Sequence, residues 1–364
     1  MFSHIQPSQY QTQLSNKQLK VTELFADFSL PTMDVYSSVD IHYRQRAEFR
    51  VWHDGDELNY IMFDQATKQK FAVTDFPVAS ALINQAMKAL LATIKHQPIL
   101  RYKLFQVDFL STQSGELLIS LLYHKPLTEQ WQHAASQLQK LLPLSKAINI
   151  VGRARKQKII IGDDFVTETL TVDGKKYHYQ QVENSFTQPN AGINEHMLAW
   201  AKHASQSLSG DLIELYCGNG NFSIALADNF SRVLGTEISK SSVASAQHNI
   251  SLNQISNIDI IRMSSEEFSQ AMNKERSFRR LADFDLSSYG YDTVLVDPPR
   301  AGLDPDSIKL TSRFERILYI SCNPNTLKAN LQQLTTTHNI EKFALFDQFP
   351  YTDHVECGVF LIRK

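Results

Sequence analysis

Three polar side chains stand where apolar runs end or begin, and their types suit one kind of covalent chemistry. Cys322 lies in Ser321-Cys322-Asn323-Pro324, directly after such a run, and Asp297 opens Asp297-Pro298-Pro299-Arg300 after another. Asn323 suits a helix cap and Pro324 a first helical turn, so the Cys322 sulfur is expected against the positive end of a helix dipole. That position lowers a thiol pKa and supplies thiolate at neutral pH. Glu356 begins the last apolar run of the chain. A thiolate that adds to an electron-poor carbon needs a base that later removes a proton, so that the sulfur can leave. Cys322 and Glu356 have the types for these two roles. Cys217 and Cys357 lack a neighbouring base or cap and read as packing residues. His354 shares a strand face with Glu356, as an orienting group, a substrate contact or simply a hydrogen-bonded histidine.

Those side chains need elements that bring them together. After about residue 190 strands alternate with helical segments: DLIELYC (211–217), RVLGTEI (232–238), IDIIRM (258–263), DTVLVD (292–297) and RILYIS (316–321). The chain closes with EKFALFDQF (341–349) and HVECGVFLIR (354–363), separated by a Pro-Tyr-Thr-Asp turn. So short a link allows a hairpin but no parallel crossover. Five parallel strands and a closing hairpin predict an α/β, doubly wound sheet with one reversed strand, an arrangement that resembles the S-adenosylmethionine-dependent methyltransferases. Ligands of open α/β sheets bind at the carboxyl rim, where Asp297 and Cys322 emerge; a reversed last strand delivers Glu356 there too.

The first of these strands runs into Glu214-Leu-Tyr-Cys-Gly218-Asn219-Gly220-Asn221 and then a helical segment. Nineteen residues beyond Gly218, at the end of the second strand, sits Glu237, placed to accept hydrogen bonds from ribose hydroxyls. Position 223 is serine, so the full GxGxxG of dinucleotide folds is absent and S-adenosylmethionine is the expected guest. Nitrogen and oxygen acceptors attack a sulfonium methyl directly, but C5 of a pyrimidine is a poor nucleophile. Adding a thiolate to C6 turns the ring into an enolate with electron density on C5, which gives Cys322 a task and Glu356 the proton to remove. An amino-group methyltransferase would usually carry an aromatic after the two prolines, where this chain has Arg300.

ENSFTQPN (183–190), ELYCGNGNFS (214–223), VDPPRAGLD (296–304), YISCNPNTL (319–327) and DQFPYTDHVECGVFL (347–361) resemble the signature blocks of the RNA uracil-5-methyltransferase family, and HYRQRAEFRVWHDG (42–55) resembles its N-terminal block. The resemblance spans nearly the whole chain and is to members that act on tRNA. It implies 5-methyluridine formation at T-loop position 54, with Cys322 as nucleophile and Glu356 as base. It further implies that Gln188, Tyr216, Asn221, Glu237 and Asp297 contact S-adenosylmethionine. Ribosomal-RNA members typically carry an iron–sulfur cysteine cluster; three distant cysteines provide none, and no metal is expected. A ribosomal-RNA or related stem-loop uridine, or an RNA-folding or RNA-binding role, are the alternatives.

A net charge of −2 conceals an asymmetry: residues 1–180 carry 20 basic and 17 acidic side chains (+3), residues 181–364 carry 16 and 21 (−5). A polyanion should meet the first half. That half alternates short strands with two helical patterns (78–96 and 128–142) and reads as an antiparallel α+β, RNA-recognition region over 1–180, followed by the methyltransferase domain over 181–364. In 42–53, His42, Arg44, Arg46, Glu48, Arg50 and Trp52 would share one strand face, opposite an apolar face. A basic face with an aromatic suits phosphate and bases, so Arg44, Arg46, Arg50 and Trp52 are RNA candidates. Phe105, His124 and Lys125 join them, with Lys103, Arg153, Arg155, Lys156 and Lys158 as weaker ones. The target base is expected to flip out of its loop. No run approaches a membrane span, no secretory signal is evident, and the cysteine usage suits a cytoplasmic home without an obligate protein partner. Residues 1–40 carry little signal.

Overall fold

The computed structural model describes residues 2–64, 67–142, 144, 147–282 and 284–364. In chain order the strands are β1 (Met33–Tyr36), β2 (Arg46–Asp54), β3 (Glu57–Phe63), β4 (Lys70–Val73), β5 (Leu104–Ser111), β6 (Glu116–Tyr123), β7 (Ala147–Ala154), β8 (Gln157–Ile161), β9 (Phe165–Val172), β10 (Lys175–Val182), β11 (Asp211–Leu215), β12 (Arg232–Glu237), β13 (Ile258–Arg262), β14 (Tyr291–Val296), β15 (Arg316–Ser321), β16 (His338–Phe346) and β17 (Glu356–Arg363).

The chain divides into two compact units, each discontinuous. The first comprises Met1–Pro7, Val39–Thr169 and Gln180–Ala191; the second comprises Ser8–Ser38, Leu170–Tyr179 and Gly192–Lys364. This departs from a division at 180/181 because burial, not sequence proximity, assigns the early segment. Tyr10, Leu14, Val21 and Phe25 enter the apolar core of the second unit, and β1 pairs in parallel with β16 from Met33↔Phe343 to Tyr36↔Phe346.

The first unit holds a seven-stranded sheet in the order β4-β3-β2-β5-β6-β7-β8. Its pairings are antiparallel except β6 with β7, and the helix Glu129–Leu141 between those two provides the crossover that parallel strands require. The helices Ala81–Ile94 and Glu129–Leu141 start where side chains satisfy free amides: Ser80 Oγ accepts from Ile83 N, and Thr128 Oγ1 from Trp131 N. Each such cap contributes roughly 1 kcal/mol and trims the predicted spans to these limits. Met87, Leu90, Trp131 and Leu138 pack with Phe49, Val107 and Ile119 into one fully buried cluster.

The second unit holds an eight-stranded sheet in the order β1-β16-β17-β15-β14-β11-β12-β13. The five strands β13, β12, β11, β14 and β15 run parallel, as predicted, and β17 is the reversed strand, antiparallel to both β15 and β16. Val294–Val296 and Ile317–Ile320 are sealed from solvent, as apolar runs covered on both faces should be. The closing hairpin differs from the four-residue turn expected: β16 ends at Phe346 and β17 begins at Glu356, leaving 347–355 as a nine-residue loop. In that loop the Asp347 carboxylate pairs with Lys17 on the helix Tyr10–Leu24 at 2.7 Å, and its backbone N donates to Tyr36 O at the end of β1 at 3.0 Å.

Candidate active site

Strand register brings the predicted catalytic residues to one rim. Val296 lies beside Tyr319 in the parallel pair β14–β15, so the loops that follow, starting at Asp297 and at Cys322, leave the sheet at the same carboxyl edge. In the antiparallel pair β15–β17, Ser321 faces Cys357, so Cys322, the residue after β15, and Glu356, the first residue of β17, both adjoin that last pair. Asn323 caps the helix Pro324–Leu334, accepting from Asn325 N at 3.2 Å, and its amide donates to Arg300 O at 3.0 Å. Thr326 Oγ1 donates to the same carbonyl at 3.3 Å, so the loop after β14 is tied to the start of this helix.

The cap is as predicted, but its electrostatic consequence is reversed. Burial pushes the half-buried Cys322 thiol up to about 11, the charges of Glu356 and Asp297 push it the same way, and the Arg300 guanidinium only partly offsets them. The helix start is outweighed by desolvation and two acidic neighbours. Glu356, 6 % exposed, is held well above the usual carboxylate range by burial and by Asp297. Burial also raises Asp297 to about 7. Burial is thus the leading cause at all three groups, with the charge of Asp297 added at Glu356 and the charges of both acids added at Cys322. His354 is exposed on the adjoining loop, 5.9 Å from the Phe349 ring. Cys217 and Cys357 are buried, in keeping with packing roles.

The glycine loop follows β11 as expected. Tyr216 turns the backbone with φ 64°, Gly220 with φ 84°, and Gly220 N donates to Cys217 O at 2.9 Å. A Cβ at Gly218 would meet nothing within 4 Å, so the loop keeps an open flank there. Across from it the Glu237 carboxylate accepts from Gly218 N at 3.1 Å and Ser239 N at 2.7 Å, which fixes the acid beside the loop. The Tyr216 hydroxyl donates to Ser265 Oγ at 2.8 Å. Asn221 and Asn194 exchange reciprocal amide hydrogen bonds, each 2.9 Å, leaving the Asn221 side chain engaged within the protein. Glu214 is buried beneath the loop, bonded by Ser223 Oγ, and burial raises its carboxyl to about 8. Sequence reading overlooked Asn194, which carries no local signal, and Glu214, whose acid on a buried apolar strand was the available clue. Gln188 belongs to the first unit, half-buried in the segment 180–191.

In the first unit the open face of β2 is as predicted from Arg46 onward: Glu48, Arg50 and Trp52 are exposed while Ala47, Phe49 and Val51 are buried. Arg44 departs from that pattern. The strand begins only at Arg46, and Arg44 is half-buried, with Nε donating to Arg46 O at 2.7 Å, because its backbone pairs with Val78 and Ser80 instead. Arg46 donates to Ser185 O at 2.6 Å. Phe105 and His124 stack with centroids 3.9 Å apart, and the Arg50 guanidinium lies 5.7 Å from the Phe105 ring. Lys70 stands 3.1 Å over Trp52. Phe105, His124, Lys125, Arg153 and Arg155 line a hollow of about 560 Å³. Within it, Arg153 is bound to the Glu183 carboxylate and Lys125 Nζ donates to Ile99 O at 2.6 Å. Among the described residues there is no cluster of three or more metal-ligating side chains, and no helix is long and apolar enough to cross a membrane.

Comparison with known proteins agrees with this geometry. A family model described as tRNA (Uracil-5-)-methyltransferase matches residues 9–364. A protein of Colwellia psychrerythraea named tRNA/tmRNA (uracil-C(5))-methyltransferase is 70% identical over 364 residues, 100% of each chain. One of the same name from Shewanella woodyi is 58% identical over 358 residues, 98% of each. The solved structure of Pyrococcus abyssi tRNA (uracil-54, C5)-methyltransferase in complex with S-adenosyl-L-homocysteine is similar with a TM-score of 0.73 and 21% identity, covering 97% of this chain and 83% of that one, a likeness of fold.

Proposed function

The chain belongs to the tRNA (uracil-5-)-methyltransferase family, an enzyme family of uracil-C5 methylation, and we propose how it converts a tRNA uridine to 5-methyluridine. The Cys322 thiolate adds to C6 of the uracil, and the C5–C6 double-bond electrons move to C5 and O4 as an enolate. S-adenosylmethionine, when bound, would supply an electrophilic methyl group to C5, the S–CH3 bond breaking with its electron pair to the sulfonium sulfur so that S-adenosylhomocysteine leaves. Glu356 then removes the C5 hydrogen as a proton. The electrons of that C–H bond rebuild the C5–C6 double bond as the C6–S bond breaks, returning Cys322 as thiolate. The observation that supports this reading is that Cys322 and Glu356 adjoin the last β15–β17 pair, Ser321↔Cys357, closely enough for the charge of Glu356 to act on the thiol.

The residues present fit an adenosyl methyl donor: Glu237 is held beside the glycine loop where ribose hydroxyls would be met, and the loop's flank at Gly218 is open. We assign Tyr216, Glu237, Asp297 and Gln188 to its binding, and Asn221 through its backbone, since its amide is bound to Asn194. RNA recognition is assigned to the first unit, through Arg46, Arg50, Trp52, Phe105, His124 and Lys125, with the target the T-loop uridine at position 54, flipped out for attack. The test is Glu356→Gln incubated with labelled S-adenosylmethionine and tRNA. It should accumulate a denaturation-resistant protein–RNA adduct whose RNA carries the label at T-loop position 54. Normal turnover by this variant would assign the base elsewhere, and label at another nucleotide would correct the target.

A further inference from the structure

Lys17 is out of place by the usual logic of helix burial. The inward stripe of the helix Tyr10–Leu24 reads Tyr10, Leu14, Lys17, Val21, and Lys17 is only 5 % exposed within it. A buried ammonium is costly unless its donors are used, and an apolar residue would dock the helix more cheaply. Here all three donors of the ammonium are used on one segment, the loop 347–355. Lys17 Nζ reaches Asp347 Oδ1 at 2.7 Å, Phe349 O at 2.8 Å and His354 O at 2.9 Å. These three acceptors are the first, third and eighth of the nine loop residues, and the last lies two residues before Glu356. Gln13, one turn earlier on the same helix face, reaches Asp347 Oδ2 at 3.4 Å and accepts from Tyr351 N.

We propose that Lys17 is a positioning residue for proton removal: by gathering both ends of this loop onto one ammonium, it fixes where β17 begins and so holds the Glu356 carboxyl close to Cys322. The inference rests on the covalent reading above, in which Glu356 takes the C5 proton. Glu356 is the first residue of β17: Cys357 is paired on both sides, with Ser321 and Leu345, but Glu356 itself only with Phe346, so the strand's first residue depends on how the nine-residue loop delivers it. The Lys17 contacts fix that delivery from within the second unit. Loss of the clamp should therefore slow proton removal while leaving thiolate addition and RNA binding intact.

The experiment compares wild type, Lys17→Met, Gln13→Ala and Glu356→Gln on tRNA carrying hydrogen or deuterium at C5 of the target uridine. For Lys17→Met, kcat should fall about 10- to 100-fold, as a misplacement of the order of 1 Å can cost, with KM for tRNA nearly unchanged. The deuterium isotope effect on kcat should rise above that of wild type, and trapped adduct should accumulate. Gln13→Ala, which spares the buried ion pair, should shift both readouts the same way by less, and it decides the matter if Lys17→Met does not fold. Loss of activity with wild-type isotope effects and no adduct in both variants, while Glu356→Gln traps adduct, would mean the clamp is only structural and overturn the proposal. If Glu356→Gln itself traps none, the failure lies in the covalent reading.

Discussion

The rim of the second unit and the open face of the first solve opposite problems with polar side chains. At the rim, Cys322, Asp297 and Glu356 are withdrawn from water, and burial is the first cause of every raised pKa there. On the face of the first unit, Arg50, Trp52 and His124 stay exposed, Arg50 and His124 each against the Phe105 ring and Trp52 under Lys70. A bond-forming step needs a few atoms in fixed positions, and desolvation strengthens every charge interaction among them. Gripping a polyanion needs area and charge, spread over groups that each contribute little. The first design has no redundancy; the second is built on it.

The sharpest way to break this contrast is Cys322→Ala. Removing this sulfur should lower methylation by about 10⁴-fold or more, since Cys217 and Cys357 are buried and cannot replace it as a covalent nucleophile. Binding of tRNA, measured by filter retention, should stay within about twofold of wild type, because the exposed basic groups proposed to supply it are untouched. Methylation surviving in this variant would remove the covalent step from the account.

The raised acids predict a pH signature confined to the rim. With the thiol at about 11, single-turnover adduct formation should climb roughly tenfold per pH unit from pH 7 to 9, as thiolate becomes available. A plateau below pH 8 would mean that the thiol is activated in the working complex. Stability has its own sign. The Asp297 carboxyl is raised from 3.8 to about 7 on folding, so its contribution is fully present below the unfolded value and is lost as pH rises through about 7. Asp297→Asn should therefore gain on wild type in melting temperature between pH 5 and pH 8, by about 1–2 kcal/mol after allowance for its partial exposure.

How much of this was legible beforehand follows from the same contrast. The five parallel strands, the reversed strand and the glycine loop announce themselves because their apolar runs and turn residues are local patterns. The place of Cys322 and Glu356 at the edge of the sheet is readable because each adjoins such a run. The thiol's pKa was not: the cap at Asn323 is local, but the opposing charges of Glu356 and Asp297 arrive from other strands, and only register reveals them. Lys17 and Asn194 were invisible for the same reason. Each looks like an ordinary polar residue on a helix until a distant partner, Asp347 or Asn221, is seen. Arg44 was misread because period-two alternation was extended two residues past the true strand start.

The smallest expected effects test the redundancy of the exposed face. Phe105→Ala should weaken tRNA binding about tenfold, since a base stacked on an aromatic ring is worth about 1–3 kcal/mol and His124 alone would be left to hold the stack. Arg50→Gln should cost only about threefold at moderate salt, because one phosphate contact among several is lost. Its signature is the salt dependence: the slope of log affinity against log salt should fall by about one, with the rate of adduct formation at saturating tRNA unchanged. If Arg50→Gln instead lowers that rate without touching the salt slope, the open face takes part in the chemical step and the separation of labour between the two regions fails.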